Sequence, residues 1–519
     1  MLHVSSAVFP DTYRDSVFLM KISSAAKGIE GIEAVSAMMA TARNKELFEA
    51  SGLMTPMIRE ARQDDLAVGL RGREDAVASA LEAVGKMLSG AGPRCESGEA
   101  YRPRTVIEAK RAAPGLNMAL ISVPGEYAAY EAFKALEQGL NVMLYSDNVS
   151  LEDEARLKKA ALGKGLLFMG PDCGTALIGG VPLGFVNRVR AGGVGLVGAS
   201  GTGSQQVMCL VDRLGGGVSH CIGVGGRDLK DEIGGLSSLY ALELLDADPA
   251  TEVIAFVGKP PGPKTRERLE RAFAGLRKPV VLHYAGSADP PGASANVTPA
   301  ASLEQAAVEA CLLLPGSRLD RAACETLLGA EALPGGPAPL PPGRGWLRGV
   351  YGGGTLCIET LATAAKAFPG RTWSNLALEG VAKLPDSGAS REHACIDLGD
   401  DEFSVGRPHP MIDPTARLER LYAELTDPEV AVVLLDVVIG HGSAPDQAEG
   451  IVRTLERAAS DTGGRSREVR VLASVCGTSA DVPPREGVEA ALARAGVALF
   501  STNSRAAAAG VALIKESGA

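Results

Sequence analysis

The chain has 519 residues, of which 46% are hydrophobic, 4% aromatic and 63 are glycine, with a formal net charge of −10. That length implies three or four domains with sizeable cores, and the negative charge argues against nucleic acid or an anionic membrane as the main partner. Nine cysteines, none in a Cys-x-x-Cys pair, fit reduced cytoplasmic thiols, and no metal-ligand spacing is present, so no metal is expected. The opening MLHVSSAVFPDTYRDS lacks a basic region followed by an apolar run, and no apolar run approaches the length of a membrane span, so neither signal peptide nor membrane segment is expected.

In chain order, residues 1–95 predict a small α+β, ferredoxin-like domain. Strands are expected over 4–9, 34–41 and 66–70, with helices over 16–27, 44–52 and 74–88, the last capped by Gly90. Residues 89–104 read as a polar linker. Residues 105–190 predict a Rossmann-like domain, with apolar strands over 118–123, 141–145 and 166–169 and helices over 126–138 and 151–162. In 191–330, buried strands over 194–198, 221–224, 253–257 and 280–284 alternate with helical stretches, the pattern of a doubly wound parallel sheet. Residues 331–345, mostly Pro and Gly, cannot build a core and read as a linker.

From 346 to 519 the pattern begins again. Gly201-Thr202 and Gly354-Thr355 superpose at an offset of 354 − 201 = 153. Asp248-Pro249 before one strand matches Asp427-Pro428 before another, and 279–286 matches 471–477. The same α/β unit is expected twice, with an insertion around 368–394 in the second copy.

In each copy an apolar strand enters a small-residue turn and then a helix. The first turn holds Ser200, Gly201, Thr202 and Gly203, with a helix expected over 204–214; the second holds Gly353, Gly354 and Thr355, with a helix expected over 356–368. A helix N-terminus has unpaired N–H groups and partial positive charge, and glycine lets an anion approach, so both turns are candidate phosphate sites. Packing alone also produces such turns. Neither is followed by Gly-Lys-Ser/Thr, which disfavours a nucleotide P-loop.

Further candidates lie at strand ends, where open α/β sheets bind ligands. Gly170, Pro171, Asp172, Cys173, Gly174 and Thr175 form one turn, in which Cys173 is either a nucleophile or, more often in such places, a packing residue. Gly225 and Gly226 precede Arg227 and Asp228; the arginine is a candidate clamp on phosphate or carboxylate and the aspartate its orienter, or the pair is structural. His441, between two glycines, is a candidate general acid/base or phosphate ligand, with a plain exposed loop histidine equally open. His220, His283, His393 and His409 are weaker candidates.

Taken together, VPGEYAAYEAF, NVMLYSDNVSLED, FMGPDCGT and GLVGASGTGSQQ resemble the succinyl-CoA synthetase α subunit and its CoA-ligase superfamily. The likeness runs through 105–290, and the repeat extends it to 346–519. On that likeness, 105–190 is a CoA-binding-type domain, and 191–330 and 346–519 are flavodoxin-like CoA-ligase-type domains. With the N-terminal module, GVGGRDL and the Pro-rich joint, the chain resembles the FdrA family, which is associated with acyl-CoA synthetase labels and with oxamate carbamoyltransferase activity in purine and ureide breakdown, alongside companion subunits. The resemblance therefore implies carbamoyl phosphate as a substrate and companion enzyme subunits as partners. CoA or ATP enters only under an acyl-CoA synthetase alternative, and a non-catalytic scaffold or sensor is a third reading. Three departures matter. No glycine-rich CoA-phosphate turn stands in 1–110; the stretch 285–294 holds no histidine where the superfamily carries its phosphohistidine; and no ATP-grasp domain is present.

Overall fold

The computed structural model describes residues 2–12, 14, 16–88, 103–287, 296–329, 340–404 and 407–516. The expected Gly90 cap and most of the 89–104 and 331–345 linkers lie outside the described residues, as does most of 285–294.

Two compact units emerge. The first combines Met1–Thr105 with Leu398–Arg420. Its antiparallel sheet runs in the order His3–Phe9, Leu66–Gly72, Ile32–Met39, covered by helices Ser16–Lys27 and Glu74–Leu88. The second helix starts with Glu74 and Asp75 and carries Lys86 in its last turn, charges that suit both ends of its dipole. Leu19, Ile22, Val68, Leu70, Val77 and Val84 form the core between sheet and helices. The segment 398–420 joins this unit although it lies in the stretch read as the second CoA-ligase-type domain: Arg43 pairs with Glu402 at 3.2 Å and lies over the Phe403 ring.

The second unit combines Val106–Asp397 with Leu421–Ala519. It opens with a three-stranded parallel sheet of Met118–Ile121, Asn141–Leu144 and Phe168–Met169, crossed by helices Gly125–Glu137 and Leu151–Gly163. The hairpin of Thr175–Ile178 and Val181–Gly184 leaves this sheet and extends the next one, because Thr175–Ile178 pairs antiparallel with Val218–Gly223.

The next sheet is built on β1 (Ala191–Gly198), followed by α1 (Gly201–Arg213), β2 (Val218–Gly223), β3 (Val253–Gly258), β4 (Val280–Tyr284), β5 (Val297–Pro299) and α2 (Leu303–Leu312). Its parallel order is β5-β4-β3-β1-β2. The last sheet is built on β6 (Trp346–Tyr351), α3 (Gly354–Ala367), β7 (His393–Asp397), β8 (Val430–Val438), β9 (Arg470–Cys476), β10 (Ala498–Phe500) and α4 (Asn503–Glu516). Its order is β10-β9-β8-β6-β7, also parallel. The two orders are identical strand for strand, so the repeat read from sequence is a repeat of topology. Strands β3 and β8 are buried along their whole length, as predominantly apolar strands between two helix layers must be. The inserted residues supply Thr372–Ser374 and Ala382–Lys383, which extend the second sheet beyond β7 where the hairpin extends the first beyond β2.

Both helices start earlier than the sequence predicts, at Gly201 and Gly354. Ser200 is the reason in the first case: its extended backbone ends the turn, and its hydroxyl accepts from Gly203 N–H at 3.1 Å, so the glycine and threonine after it are already helical.

Candidate functional site

The two helix starts meet. Ser200 Oγ lies 2.5 Å from Thr355 Oγ1. The contact is reciprocal: a Cβ on Gly353 would meet Thr202 at 2.8 Å, and one on Gly203 would meet the Thr355 methyl at 3.0 Å. Each threonine thus packs over a bare backbone position of the other repeat, and glycine is required where it does. The pair is more open on the side of the first repeat. Gly201 is exposed and Thr202 half-buried, whereas Gly353 and Thr355 are buried. The N–H groups of Gly201 and Thr202 stand in the first turn of α1, where no intrahelical acceptor exists, and they carry the helix's partial positive charge.

The second bend differs from the first just ahead of its helix. Asp436, fully buried on β8, accepts from Gly352 N–H at 2.9 Å and from Gly353 N–H at 2.8 Å. Asp397 adds a second carboxylate, 2.5 Å from where a Cβ on Gly354 would stand. The two amides just ahead of α3 are therefore taken by a protein carboxyl group, and a second carboxyl group crowds the first residue of the helix. Among the expected phosphate ligands, Gly203 and Gly353 have their amides engaged and Thr355 is buried, while Gly201 is exposed and Ser200, Thr202 and Gly354 are half-buried at the shared edge.

The turn 170–175 borders that edge. Thr175 Oγ1 lies 3.2 Å from the Cβ position of Gly201. Gly170 takes φ +104° and a Cβ there would collide with the Leu144 carbonyl; Gly225 takes φ +81° and abuts the Pro171 carbonyl. These glycines let 170–175 and 223–226 nest backbone to backbone, with Asp172 N–H donating to Ser146 O at 3.0 Å and Gly226 beside the Ala199 carbonyl. Pro171 is buried and Gly174 packs against the Phe185 ring. Cys173 is buried, with Sγ 3.4 Å from Gly223 O, and burial pushes its thiol up to about 12. A buried thiol held neutral fits the packing role.

Arg227 and Asp228 have other work than the catalysis expected of them. Asp228 is fully buried; its carboxylate accepts from Ser237 N–H at 3.1 Å, Ser238 N–H at 2.9 Å and Ser238 Oγ at 2.6 Å, and it pairs with Lys158 Nζ at 2.7 Å. It caps helix Leu236–Ala247 and neutralises a buried lysine, with no approach for substrate. Lys158 also pairs with Glu154 at 2.9 Å, and Glu154 pairs with Arg227 at 3.0 Å. Arg227 keeps about a third of its side chain exposed (32%) but is tethered in this chain of charges.

His441 is likewise engaged. Its N–H donates to Val186 O at 2.8 Å, and Arg188 Nε donates to its Nε2 at 3.3 Å. Asn187 anchors the same loop through Ile439 O at 2.7 Å and Asp481 at 2.8 Å, and accepts from Gln205 of α1. The flanking glycines have φ +118° and +81° and press against Val186 and Phe185, so they serve docking of this loop. The weaker candidates are also tied: His220 accepts from Gly179 N–H and His393 from Leu347 N–H.

Sequence reasoning missed Asp436, Glu154 and Lys158. Asp436 had a signal: it is an acid inside the nine-residue apolar strand VAVVLLDVV. Glu154 and Lys158 had only i,i+4 spacing on a helix that reads as solvated.

Comparison with known proteins places the chain. The "Uncharacterized protein YahF" of Escherichia coli (strain K12) is 42% identical over 504 residues, 97% of each chain. The chain belongs to the YahF family. A model described as CoA-ligase matches residues 350–513, and one described as AllF, heavy metal-associated domain, matches residues 1–103. The succinate–CoA ligase [ADP-forming] subunit alpha of Aquifex aeolicus (strain VF5) is 30% identical over 187 residues, covering 34% of this chain and 59% of that one. The dinucleotide forming acetyl-coenzyme A synthetase 1 of Ca. Korarchaeum cryptofilum, in complex with phosphate and ADP, is 17% identical, with 82% of this chain and 88% of that chain covered at a TM-score of 0.31. The CoA-ligase match and the succinate–CoA ligase relative place this YahF relative in the CoA-ligase, succinyl-CoA synthetase α-like superfamily, and its own sheets and helices give the mixed α/β architecture. Among the described residues no three His, Cys, Asp or Glu gather to hold a metal ion. No described helix is long and apolar enough to cross a membrane.

Proposed function

We propose that this chain is the FdrA-type subunit of a carbamoyltransferase that takes carbamoyl phosphate and an oxamate-like acceptor and works with companion subunits. One observation carries the reading: two matched helix starts lock together through Ser200 and Thr355, leaving the amides of Gly201 and Thr202 open at the shared edge. The phosphate of carbamoyl phosphate is held there. The acceptor nitrogen attacks the carbamoyl carbon, the bond from that carbon to the phosphate oxygen breaks, and the electron pair leaves on the phosphate, which also takes the proton lost from nitrogen. The charge that develops on the leaving oxygen falls where preorganised N–H donors point, an arrangement that typically accelerates acyl transfer by about 10²–10³-fold per donor.

The absence of histidine from 285–294 favours a reaction with no phosphohistidine relay. A second reading, an acid–thiol ligase subunit using CoA and a partner's ATP site, is favoured by the CoA-ligase match over 350–513. The deciding experiment incubates the chain and its companion subunits with carbamoyl-labelled carbamoyl phosphate and oxamate. Label in a carbamoylated acceptor, with one phosphate released for each, is expected. Acid-labile labelling of the protein from ATP instead rejects the carbamoyltransferase in favour of the ligase.

A further inference from the structure

The sheet of the first unit has two edges, Ile32–Met39 on one side and His3–Phe9 on the other. The first edge carries devices that discourage further pairing: a register break between Ile32 and Ala34, and the charged Glu33, paired with Arg71 at 4.0 Å. The second edge has neither. HVSSAVF is free of Asp, Glu, Lys, Arg and Pro, and it pairs with Leu66–Gly72 along its whole length without a shift. Both of its faces are covered. Val8 packs against the cluster of Phe48, Leu53 and Ile58, and Phe9 against that of Leu19, Val68 and Val77. Ser6 Oγ meets Thr55 Oγ1 at 2.5 Å. What this strand still offers is its outer row of backbone groups.

The ladder fixes which groups those are. In antiparallel pairing the N–H and C=O of one residue point the same way, and successive residues alternate. Ala40 N–H donates to Asp65 O at 2.8 Å, so Asp65, Ala67, Gly69 and Arg71 turn toward Ile32–Met39. Leu66, Val68, Leu70 and Gly72 turn the other way and bond their partners Phe9, Ala7, Ser5 and His3. Val4, Ser6 and Val8 are left facing out with one N–H and one C=O each, and among the described residues no backbone group pairs with them. Such a row is a template for another strand.

The order of residues along the row selects a second copy of this chain. Set antiparallel to itself about Ser6, the strand puts Val4 opposite the partner's Val8, Ser6 opposite the partner's Ser6, and Val8 opposite the partner's Val4. Each of these pairs exchanges both N–H···O bonds, so one two-fold axis at Ser6 satisfies every outward group of both strands. The side chains match as well: valine meets valine, and small residues fill the centre. A register moved by one residue sets outward groups against inward ones and loses the bonds. With no charge on the strand, nothing repels the second copy. We infer that His3–Phe9 is the contact of a two-fold homodimer, in which two three-stranded sheets join edge to edge. The inference is independent of the carbamoyl phosphate edge.

Sedimentation velocity on the full chain, from about 1 to about 100 µM, tests it. A dimer with a dissociation constant of about 10 µM or tighter is expected. Val4→Pro removes only an outward N–H, so the sheet within each copy keeps its bonds, and the dimer is expected to weaken about tenfold or more. Hydrogen exchange on the wild type gives a readout that needs no variant. The amides of Val4, Ser6 and Val8 are expected to exchange slowly at about 100 µM and fast at about 1 µM, while those of Ser5 and Ala7 stay slow at both. Where Val4→Pro fails to fold, this exchange pattern decides alone. A monomer at about 100 µM overturns the inference. So does a dimer that folded Val4→Pro leaves intact, which pairs through another face. Slow exchange of the three outward amides at every concentration overturns it too, because the strand is then covered within its own chain.

Discussion

Val257 and Asp436 occupy the same register position in the two repeats: Phe256 pairs with Val197 and Leu435 with Val350, so the next residue of each strand faces the start of its bend. In the first repeat Ala199 N–H donates to the Val257 backbone carbonyl; in the second the matching amide, on Gly352, donates to the Asp436 side chain. The second repeat thus uses a side-chain carboxylate to hold the two amides just ahead of its helix, where the first repeat uses a strand carbonyl on one of them. Asp436→Asn keeps the shape but offers only one acceptor oxygen, leaving an NH₂ against a buried N–H. A loss of about 2–4 kcal/mol is expected, read as a lowered midpoint in chemical denaturation. An unchanged midpoint would mean that the carboxylate does not hold this bend.

Asp228 provides a test of structure against catalysis. Asp228→Ala removes one of the two carboxylates on buried Lys158 and uncaps Leu236–Ala247, and a loss of about 3 kcal/mol is expected. Residual folded protein should keep its KM. A variant with wild-type thermal stability and no turnover would return Asp228 to the catalytic set.

His441→Gln is expected to leave kcat within about threefold and its pH profile unmoved, because the ring is bonded to Arg188 and its loop docks through Val186. A general acid/base would cost about 10²–10⁴-fold and remove one limb of the pH profile.

Acid sensitivity has a named contributor. His393 is stacked on Phe368 at 3.9 Å and accepts from Leu347 N–H at 3.2 Å, and burial, aided by Arg371 and Arg348, lowers it from 6.5 to about 4. The unfolded chain therefore binds the proton first as pH falls. The contribution is complete above about 6.5 and is lost as pH drops toward about 4. Urea midpoints measured from pH 7 to pH 4.5 should fall more steeply for the wild type than for His393→Gln; parallel lines would remove His393 from the cause.

Much of this was legible in the sequence, and the rest was not, for physical reasons. Apolar runs such as 253–257 and 280–284 announce buried parallel strands, and the Gly-Thr pairs at 201 and 354 announce their repeat, because backbone approach admits few residue types. Side-chain partners are another matter. Nothing local to Leu151–Gly163 tells that Lys158 points inward to Asp228, seventy residues away. The glycines beside His441 read as ligand access, yet they allow close packing on Val186. The filling of the second bend by Asp436 depends on strand register, which one sequence does not display.

The most direct test is phosphate binding to the purified chain by calorimetry, in the wild type and in Gly201→Val. One phosphate per chain in the wild type is expected, weakened about tenfold or more in the variant, whose side chain would crowd Thr175 and cover the open amides. Equal binding by both proteins, or none by the wild type, would contradict an anion site at this edge.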